Sequence, residues 1–183
     1  MLAALALAAA VAAGPAPHRA VYVGEGFDGC QPPPTATMRA WLGSPYRAMN
    51  IYLGGKELAT PCKPTAELNS QWVKTVTANG WSLIPTFVDL QPPCTRSTKK
   101  TFTASTARAA GRDAAGRAVD KMKLLGLGAG NPIYDDFEHY DESKAGCVAA
   151  AVDFVEAWTN RIHALGYTAG MYAVRDAGVA PIA

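Results

Sequence analysis

NPIYDDFEHYD, residues 131–141, places four acidic side chains in and after a segment with the apolar residues of a buried strand. Ile133 and Phe137 indicate a β-strand, and side chains along a strand point alternately to its two faces. Asp136 and Glu138 therefore share a face, about 6.6 Å apart at the backbone. Because desolvating a carboxylate costs several kcal/mol unless it is paired or used, this strand is either an acidic surface strand or a site.

The segments on both sides of this stretch alternate between strand-like and helix-like patterns. Strands are predicted near 20–28, 48–55, 81–91, 131–140 and 167–174, and helices near 35–43, 65–80, 105–126 and 145–166. Alternation of apolar strands with helices predicts a parallel sheet covered by helices, either as an open doubly wound sheet or as a (β/α)8 barrel.

The residues at the strand ends favour the barrel. GEGFDG (24–29) lacks the small residues that a phosphate-binding loop needs, and no helix begins there. Acidic residues instead follow the strands, at Asp28, Asp89 and Glu138, where barrel enzymes keep their active sites. We therefore expect an α/β fold of the (β/α)8 TIM-barrel type. A closed barrel has eight strands, so five predicted strands lead us to expect a barrel that is incomplete at its C-terminal end.

Composition limits the classes of function. With 183 residues, a net charge of +2 and 49% hydrophobic residues, the chain predicts one globular domain, with no electrostatic reason to bind nucleic acid. The adjacent basic pair Lys99-Lys100 is explained by a solvated loop. No zinc-ligand spacing, phosphate loop or G-x-S-x-G motif occurs, and we expect no metal and no organic cofactor.

Residues 1–19, MLAALALAAAVAAGPAPHR, are typical of the apolar region and cleavage site of a secretory signal peptide. The run is too short for a membrane-spanning helix, which needs about 20 apolar residues. No Lys or Arg precedes Arg19, so the start of this signal is atypical, and an ordinary N-terminal helix is the alternative. We expect residues 20–183 to form the secreted domain.

The cysteines agree with secretion. Cys30, Cys62, Cys94 and Cys147 are an even number, which predicts two disulfides in an exported chain, the alternative being free thiols in a reducing cytosol. Four cysteines permit three pairings, and the sequence leaves the choice among them open.

Several motifs together resemble a family of secreted bacterial domains described as glycoside-hydrolase-like TIM barrels, which is similar to the muramidase lysozymes with a D-x-E strand. The matching segments are GFDGCQPPPTATMRAWLGSPYRAMNIYLGG (26–55), GWSLIPTFVDLQPPC (80–94), GLGAGNPIYDDFEHY (126–140) and AWTNRIHALGYTAGMYA (157–173). The resemblance implies that Glu138 is a general acid, that Asp136 assists by orienting a substrate acetamido group, and that Asp28 supports the cleft.

The spacing of Asp136 and Glu138 by itself suits acid/base cleavage of a glycosidic bond, although a D-x-E at a strand end can also be a cap or an ion-pair partner. Further candidates for lining a sugar cleft, each of which could instead be structural, are Tyr52, Asp89, Gln91 and Tyr172. Asp135 should face the helices, where relatives usually carry an aromatic residue, and we expect it to pair with Lys121 or Lys123.

The cysteines fall in loops that follow the first four strands, and we expect the bridges Cys30–Cys62 and Cys94–Cys147 between successive loops. The leading hypothesis is a secreted, monomeric glycoside hydrolase that acts on peptidoglycan or another polysaccharide. The alternatives are a non-catalytic carbohydrate-binding or cell-surface module and an inactive truncated fragment.

Overall fold

The computed structural model describes residues 22–174, within which five strands alternate with four α-helices. The strands are β1 (Glu25–Phe27), β2 (Tyr46–Gly54), β3 (Ser82–Phe87), β4 (Pro132–Phe137) and β5 (Thr168–Ala173), and the helices are α1 (Thr35–Ala40), α2 (Ser70–Ala78), α3 (Ala107–Leu124) and α4 (Ala145–Ala164). The predicted order of elements is confirmed. The predicted signal peptide, 1–19, lies outside the described residues.

All strand pairs are parallel, and the strands follow one another across the sheet in the order β1-β2-β3-β4-β5. A doubly wound sheet would reverse its strand order at a switch point, and residues 22–174 contain no such reversal. The fold is therefore a mixed α/β fold around a five-stranded parallel sheet. Since βαβ connections are right-handed, a sequential order places the helices on the same side of the sheet.

Several elements, among them the second helix and the third strand, are shorter than their sequence patterns predict. The predicted helix 65–80 begins only at Ser70, because the Asn69 side chain caps it by accepting a 2.9 Å hydrogen bond from the Trp72 amide. The third strand ends at Phe87 rather than at Gln91, so the chain leaves the sheet before the last four residues of the predicted strand.

The core lies between the sheet and the helices. Alternate strand residues point into it, among them Met49, Ile51, Leu53, Phe87, Ile133 and Phe137, and they pack against buried residues of the helices that include Trp72, Val119, Met122, Phe154 and Trp158. Helices α3 and α4 meet closely at Gly111, where a Cβ atom would lie 2.4 Å from the carbonyl oxygen of Phe154. The remaining strand residues, Tyr52 and Asp136 among them, point to the opposite face.

Two disulfides fix the loops that follow the strands. Cys30 bonds to Cys62 and Cys94 bonds to Cys147, which are the expected bridges, but Cys147 lies in the first turn of α4 rather than in the loop where we expect it. None of the helices within residues 22–174 has the length and hydrophobicity needed to cross a bilayer.

Candidate functional site

The predicted site residues of β1, β2, β4 and β5 meet at the carboxyl ends of these strands. Asp136 is the register partner of Tyr172, so both side chains lie on the sheet face that points away from the helices. The hydroxyls of Tyr52 and Tyr172 each donate a hydrogen bond of 3.1 Å to Oδ2 of Asp28. Asp28 therefore links the second and fifth strands across the top of the sheet.

Asp136 and Glu138 project from the same face of β4 and its continuation, and they influence each other electrostatically. Burial raises the pKa of Asp136 to about 6, the neighbouring Glu138 and Asp28 charges act in the same direction, and Lys99 opposes them. Asp136 therefore holds its proton under mildly acidic conditions. Glu138 is the more accessible group, with 40% of its side chain exposed.

A cation that the sequence did not single out completes this site. The ammonium of Lys99 lies 3.2 Å from Oε1 of Glu138, and only 19% of the Lys99 side chain is exposed. The interpretation of Lys99-Lys100 as a solvated pair is therefore wrong for Lys99. No local pattern marks this residue, because it reaches the site from the long connection between β3 and α3.

Hydrogen bonds attach the connection between β3 and α3 to two neighbouring segments, one at Glu57 and one at His139. On one side, the Lys99 ammonium donates to the Glu57 carbonyl (3.0 Å) and the Lys100 amide donates to the Glu57 carboxylate (2.8 Å). On the other side, the Arg96 amide donates to the His139 carbonyl (2.9 Å), next to the Cys94–Cys147 bridge. The loop thus holds Lys99 over the end of β4.

The structure corrects the expectation that Asp89 and Gln91 line an open cleft, because 2% of Asp89 and none of Gln91 is exposed. The Asp89 carboxylate forms an ion pair with Arg117 of α3 and accepts a 2.9 Å hydrogen bond from the Leu90 amide. Gln91 bonds to the backbone beneath the acidic pair. Both residues lie too deep to contact a polymer in the cleft.

Asp135 faces the helices, as strand alternation predicts, but the expected pairing with Lys121 or Lys123 is wrong. Only 1% of Asp135 is exposed, and neither of its carboxyl oxygens has a hydrogen-bond partner within the described part of the chain. Burial raises the pKa of Asp135 well above its usual range, the charges of Asp89 and Asp136 raise it further, and Arg117 lowers it. Burial thus favours the neutral form of this carboxyl group, which lies in the core directly beside the site.

Residues 22–174 contain no group of three or more His, Cys, Asp or Glu side chains placed to hold a metal ion. The site thus consists of three carboxyl groups, two phenols and one ammonium, namely Asp28, Asp136, Glu138, Tyr52, Tyr172 and Lys99.

The family described as "Rv2525c-like, glycoside hydrolase-like domain" matches residues 39–183, which is more than half of the chain. The chain belongs to this family. None of the curated protein sequences compared with it matches.

Solved structures share the fold of this family member at low sequence identity. An uncharacterized protein from B. stearothermophilus is 18% identical, with a TM-score of 0.56, over 84% of this chain and 62% of that protein. A muramidase from Acremonium alcalophilum is 16% identical, with a TM-score of 0.53, over 87% of this chain and 68% of the muramidase.

A third structure is the Tat-secreted protein Rv2525c of Mycobacterium tuberculosis in complex with HEPES, which is 16% identical, with a TM-score of 0.52. That match covers 78% of this chain and 64% of Rv2525c. The chain therefore spans less than two thirds of Rv2525c and of the B. stearothermophilus protein.

Proposed function

We propose that this domain is a glycoside hydrolase of the (β/α)8 type that cleaves cell-wall polysaccharide outside the cell. The observation that carries the proposal is the pair Asp136 and Glu138 at the carboxyl end of β4, with a pKa of about 6 for Asp136. A carboxyl group that keeps its proton beside a second, more exposed carboxyl group provides the elements of acid/base glycoside cleavage.

Three observations support the barrel, the location and the substrate class. Parallel strands in sequential order are the arrangement found within a (β/α)8 barrel. Two disulfides are typical of an oxidising compartment, and one neighbour in fold is a Tat-secreted protein. Another neighbour is a muramidase, which favours a glycan of the peptidoglycan type over other polysaccharides.

The two carboxyl groups differ in burial, and we assign them different roles in catalysis for this reason. Asp136 is the more buried group and keeps a proton in the empty cleft, whereas Glu138 is exposed enough to reach a glycosidic oxygen. In this mechanism the proton that Asp136 holds passes to Glu138 when the substrate binds, which leaves Asp136 ionised. Glu138 donates this proton to the glycosidic oxygen as the bond from that oxygen to the anomeric carbon breaks. Asp136 supports the positive charge that develops, and water then adds at the anomeric carbon and returns a proton to the pair.

Asp28 and the two tyrosines lie beside the acidic pair on the same face of the sheet. Hydrogen bonds from both phenols hold the Asp28 carboxylate in place, and Tyr172 leaves 43% of its surface exposed for a sugar ring. An exposed aromatic ring beside fixed polar groups is a suitable surface for a pyranose.

The test is hydrolysis of purified peptidoglycan and of β-glucan by the full chain, measured as released reducing ends. Glu138→Gln and Asp136→Asn should each lower turnover on peptidoglycan by about 10²–10⁴-fold, the usual contribution of general acid/base catalysis. Glu156→Gln, at an exposed ion pair on α4, is the control and should leave turnover unchanged. Binding of peptidoglycan without turnover by the wild-type protein would reject the hydrolase in favour of a carbohydrate-binding module.

A second substrate separates the roles of the two carboxyl groups. An aryl glycoside with an acidic phenol as leaving group needs little protonation, so it should restore turnover to Glu138→Gln but not to Asp136→Asn. The reverse pattern would assign the general acid to Asp136.

A further inference from the structure

The backbone pairing between β3 and β4 stops just before the acidic pair. The last residues in register are Phe87 and Asp135, so β-ladder bonds to β3 do not reach Asp136, Phe137 or Glu138. The segment that carries the proposed chemistry therefore needs another attachment on this side.

The side chain of Gln91 supplies that attachment. Its Nε2 donates a hydrogen bond of 2.8 Å to the Asp136 carbonyl and one of 2.9 Å to the Asp89 carbonyl. Its Oε1 accepts a hydrogen bond of 2.7 Å from the Glu138 amide. One amide group thus binds the backbone on both sides of Phe137 and continues the sheet where the ladder has ended.

Gln91 is itself held firmly. No part of it is exposed, its amide donates to the Lys100 carbonyl (2.9 Å), and its carbonyl accepts from the Phe102 amide (3.0 Å). A buried side chain with fixed backbone and three side-chain bonds has little freedom to shift. The backbone positions of Asp136 and Glu138 are therefore tied to the same loop that carries Lys99.

The chemistry of the side chain explains why this position holds glutamine. The two backbone carbonyls require two hydrogen-bond donors, and the Glu138 amide requires one acceptor. A neutral carboxamide provides all three in one plane. A carboxylate would lack both donors and would add a charge near Asp136, while an apolar side chain would leave buried backbone groups unsatisfied.

We propose that Gln91 is a positioning residue that sets the relative placement of the Asp136 and Glu138 carboxyl groups. This inference rests on the proposed function for its effect on turnover, but its effect on the titration of the two carboxyl groups does not depend on turnover. Gln91 itself does not contact the substrate.

The experiment compares Gln91→Met with a control that loses a buried hydrogen bond elsewhere. Tyr167→Phe removes a bond of 3.0 Å to the Leu127 carbonyl at the opposite end of the sheet. For each protein the thermal midpoint, kcat and KM on peptidoglycan fragments, and the titration of both carboxyl groups by carbon-13 NMR are measured.

We expect both variants to lose stability, but only Gln91→Met to lose kcat, by roughly 10²-fold with KM within about twofold, because small misplacements of catalytic groups are costly. Only Gln91→Met should change the titration curves of Asp136 and Glu138. Titration curves and kcat equal to those of the wild type in folded Gln91→Met would overturn the proposal, as would an equal change in Tyr167→Phe.

Gln91→Glu provides a second readout if Gln91→Met does not fold. The introduced carboxyl group can donate one hydrogen bond when protonated and none when ionised. Its activity relative to the wild type should therefore be higher near pH 4.5 than near pH 7.5, and a constant ratio would contradict the proposal. If the wild type shows no hydrolysis, the proposed function fails, and the carboxyl titrations of the Gln91 variants still decide the positioning role.

Discussion

The ammonium of Lys99 lies 3.2 Å from a carboxylate oxygen of Glu138, although the two residues belong to different loops. Lys99 lowers the pKa of Asp136, while Glu138 raises it. The Lys99–Glu138 ion pair therefore affects how readily Asp136 loses its proton.

Lys99→Gln should move the pH dependence of hydrolysis toward alkaline pH. The pKa of Asp136 is about 6 with Lys99 in place, and removing a nearby positive charge disfavours the carboxylate, which raises that pKa further. The alkaline limb of kcat/KM reports loss of the proton that Asp136 holds. This limb should move to higher pH by about one pH unit. A full pH profile from pH 4 to pH 9 measures the shift.

The control for Lys99 is Lys74→Gln, which removes an equal charge from an exposed position on α2. Its alkaline limb should coincide with that of the wild type. An unmoved limb in Lys99→Gln, or an equal shift in Lys74→Gln, would show that Lys99 does not act on the pair.

Much of the site follows from the period of a strand. Alternation along β4 places Asp136 with Glu138 and opposes them to Ile133, Asp135 and Phe137, and the burial of these residues confirms it. The order of elements is equally accessible, because apolar periodicity and turn residues are local signals, whereas Cys147 lies in α4 and not in the loop predicted for it.

The parts of the site that the sequence does not predict come from the loop between β3 and α3. Side chains in a loop do not alternate regularly as they do in a strand. A strand predicted as far as Gln91 extends the alternation past Phe87, where β3 ends, and this is why the prediction places Asp89 and Gln91 in the cleft. Lys99 is brought to Glu138 by contacts with Glu57 and by the loop attachments near Cys94. These contacts join residues far apart in the sequence, and local patterns carry no information about them.

Tyr52→Phe and Tyr172→Phe should each weaken catalysis through Asp28. Each change removes one hydrogen bond to the Asp28 carboxylate, a bond to a charged group, and we expect roughly a tenfold loss in kcat/KM. Because both phenols act on the same carboxylate oxygen, the double variant should lose less than the product of the single losses. Tyr22→Phe, whose hydroxyl bonds to the Glu25 carbonyl, is the control. Single variants with wild-type kcat/KM would remove Asp28 from the mechanism.

Loss of the Cys94–Cys147 bridge should affect both stability and turnover. The bridge spans 53 residues, so its removal by Cys94→Ser with Cys147→Ser should lower the free energy of unfolding by about 3–5 kcal/mol in the chain-entropy model. It also holds the loop that carries Gln91 and Lys99, so kcat of the folded protein should fall. Urea unfolding and peptidoglycan hydrolysis measure the two effects.

The matched comparison is removal of the Cys30–Cys62 bridge, which spans 32 residues and joins the connections that follow β1 and β2. This pair of substitutions should cost stability, and it should lower kcat of the folded protein less, since the attachments of the loop at Arg96 and Cys94 stay in place. Equal losses of kcat in both double variants would mean that the Cys94–Cys147 bridge does not specifically hold the loop that carries Gln91 and Lys99.

Asp135→Asn should stabilise the protein increasingly as pH rises. Below about pH 3.9, the usual pKa of an unfolded Asp, both folded and unfolded wild-type chains are protonated at this position, so titration adds nothing. Above that pH the unfolded chain releases a proton that the buried Asp135 keeps, since its pKa is raised in the fold. Wild-type stability is therefore lost progressively with rising pH up to the raised pKa, whereas the amide variant has no such loss.

Urea unfolding at pH 4, pH 5.5 and pH 7 should show a growing advantage of Asp135→Asn, while Asp120→Asn, at an exposed position on α3, shows none. A difference between Asp135→Asn and the wild type that is constant with pH would mean that Asp135 titrates alike in the folded and unfolded chains.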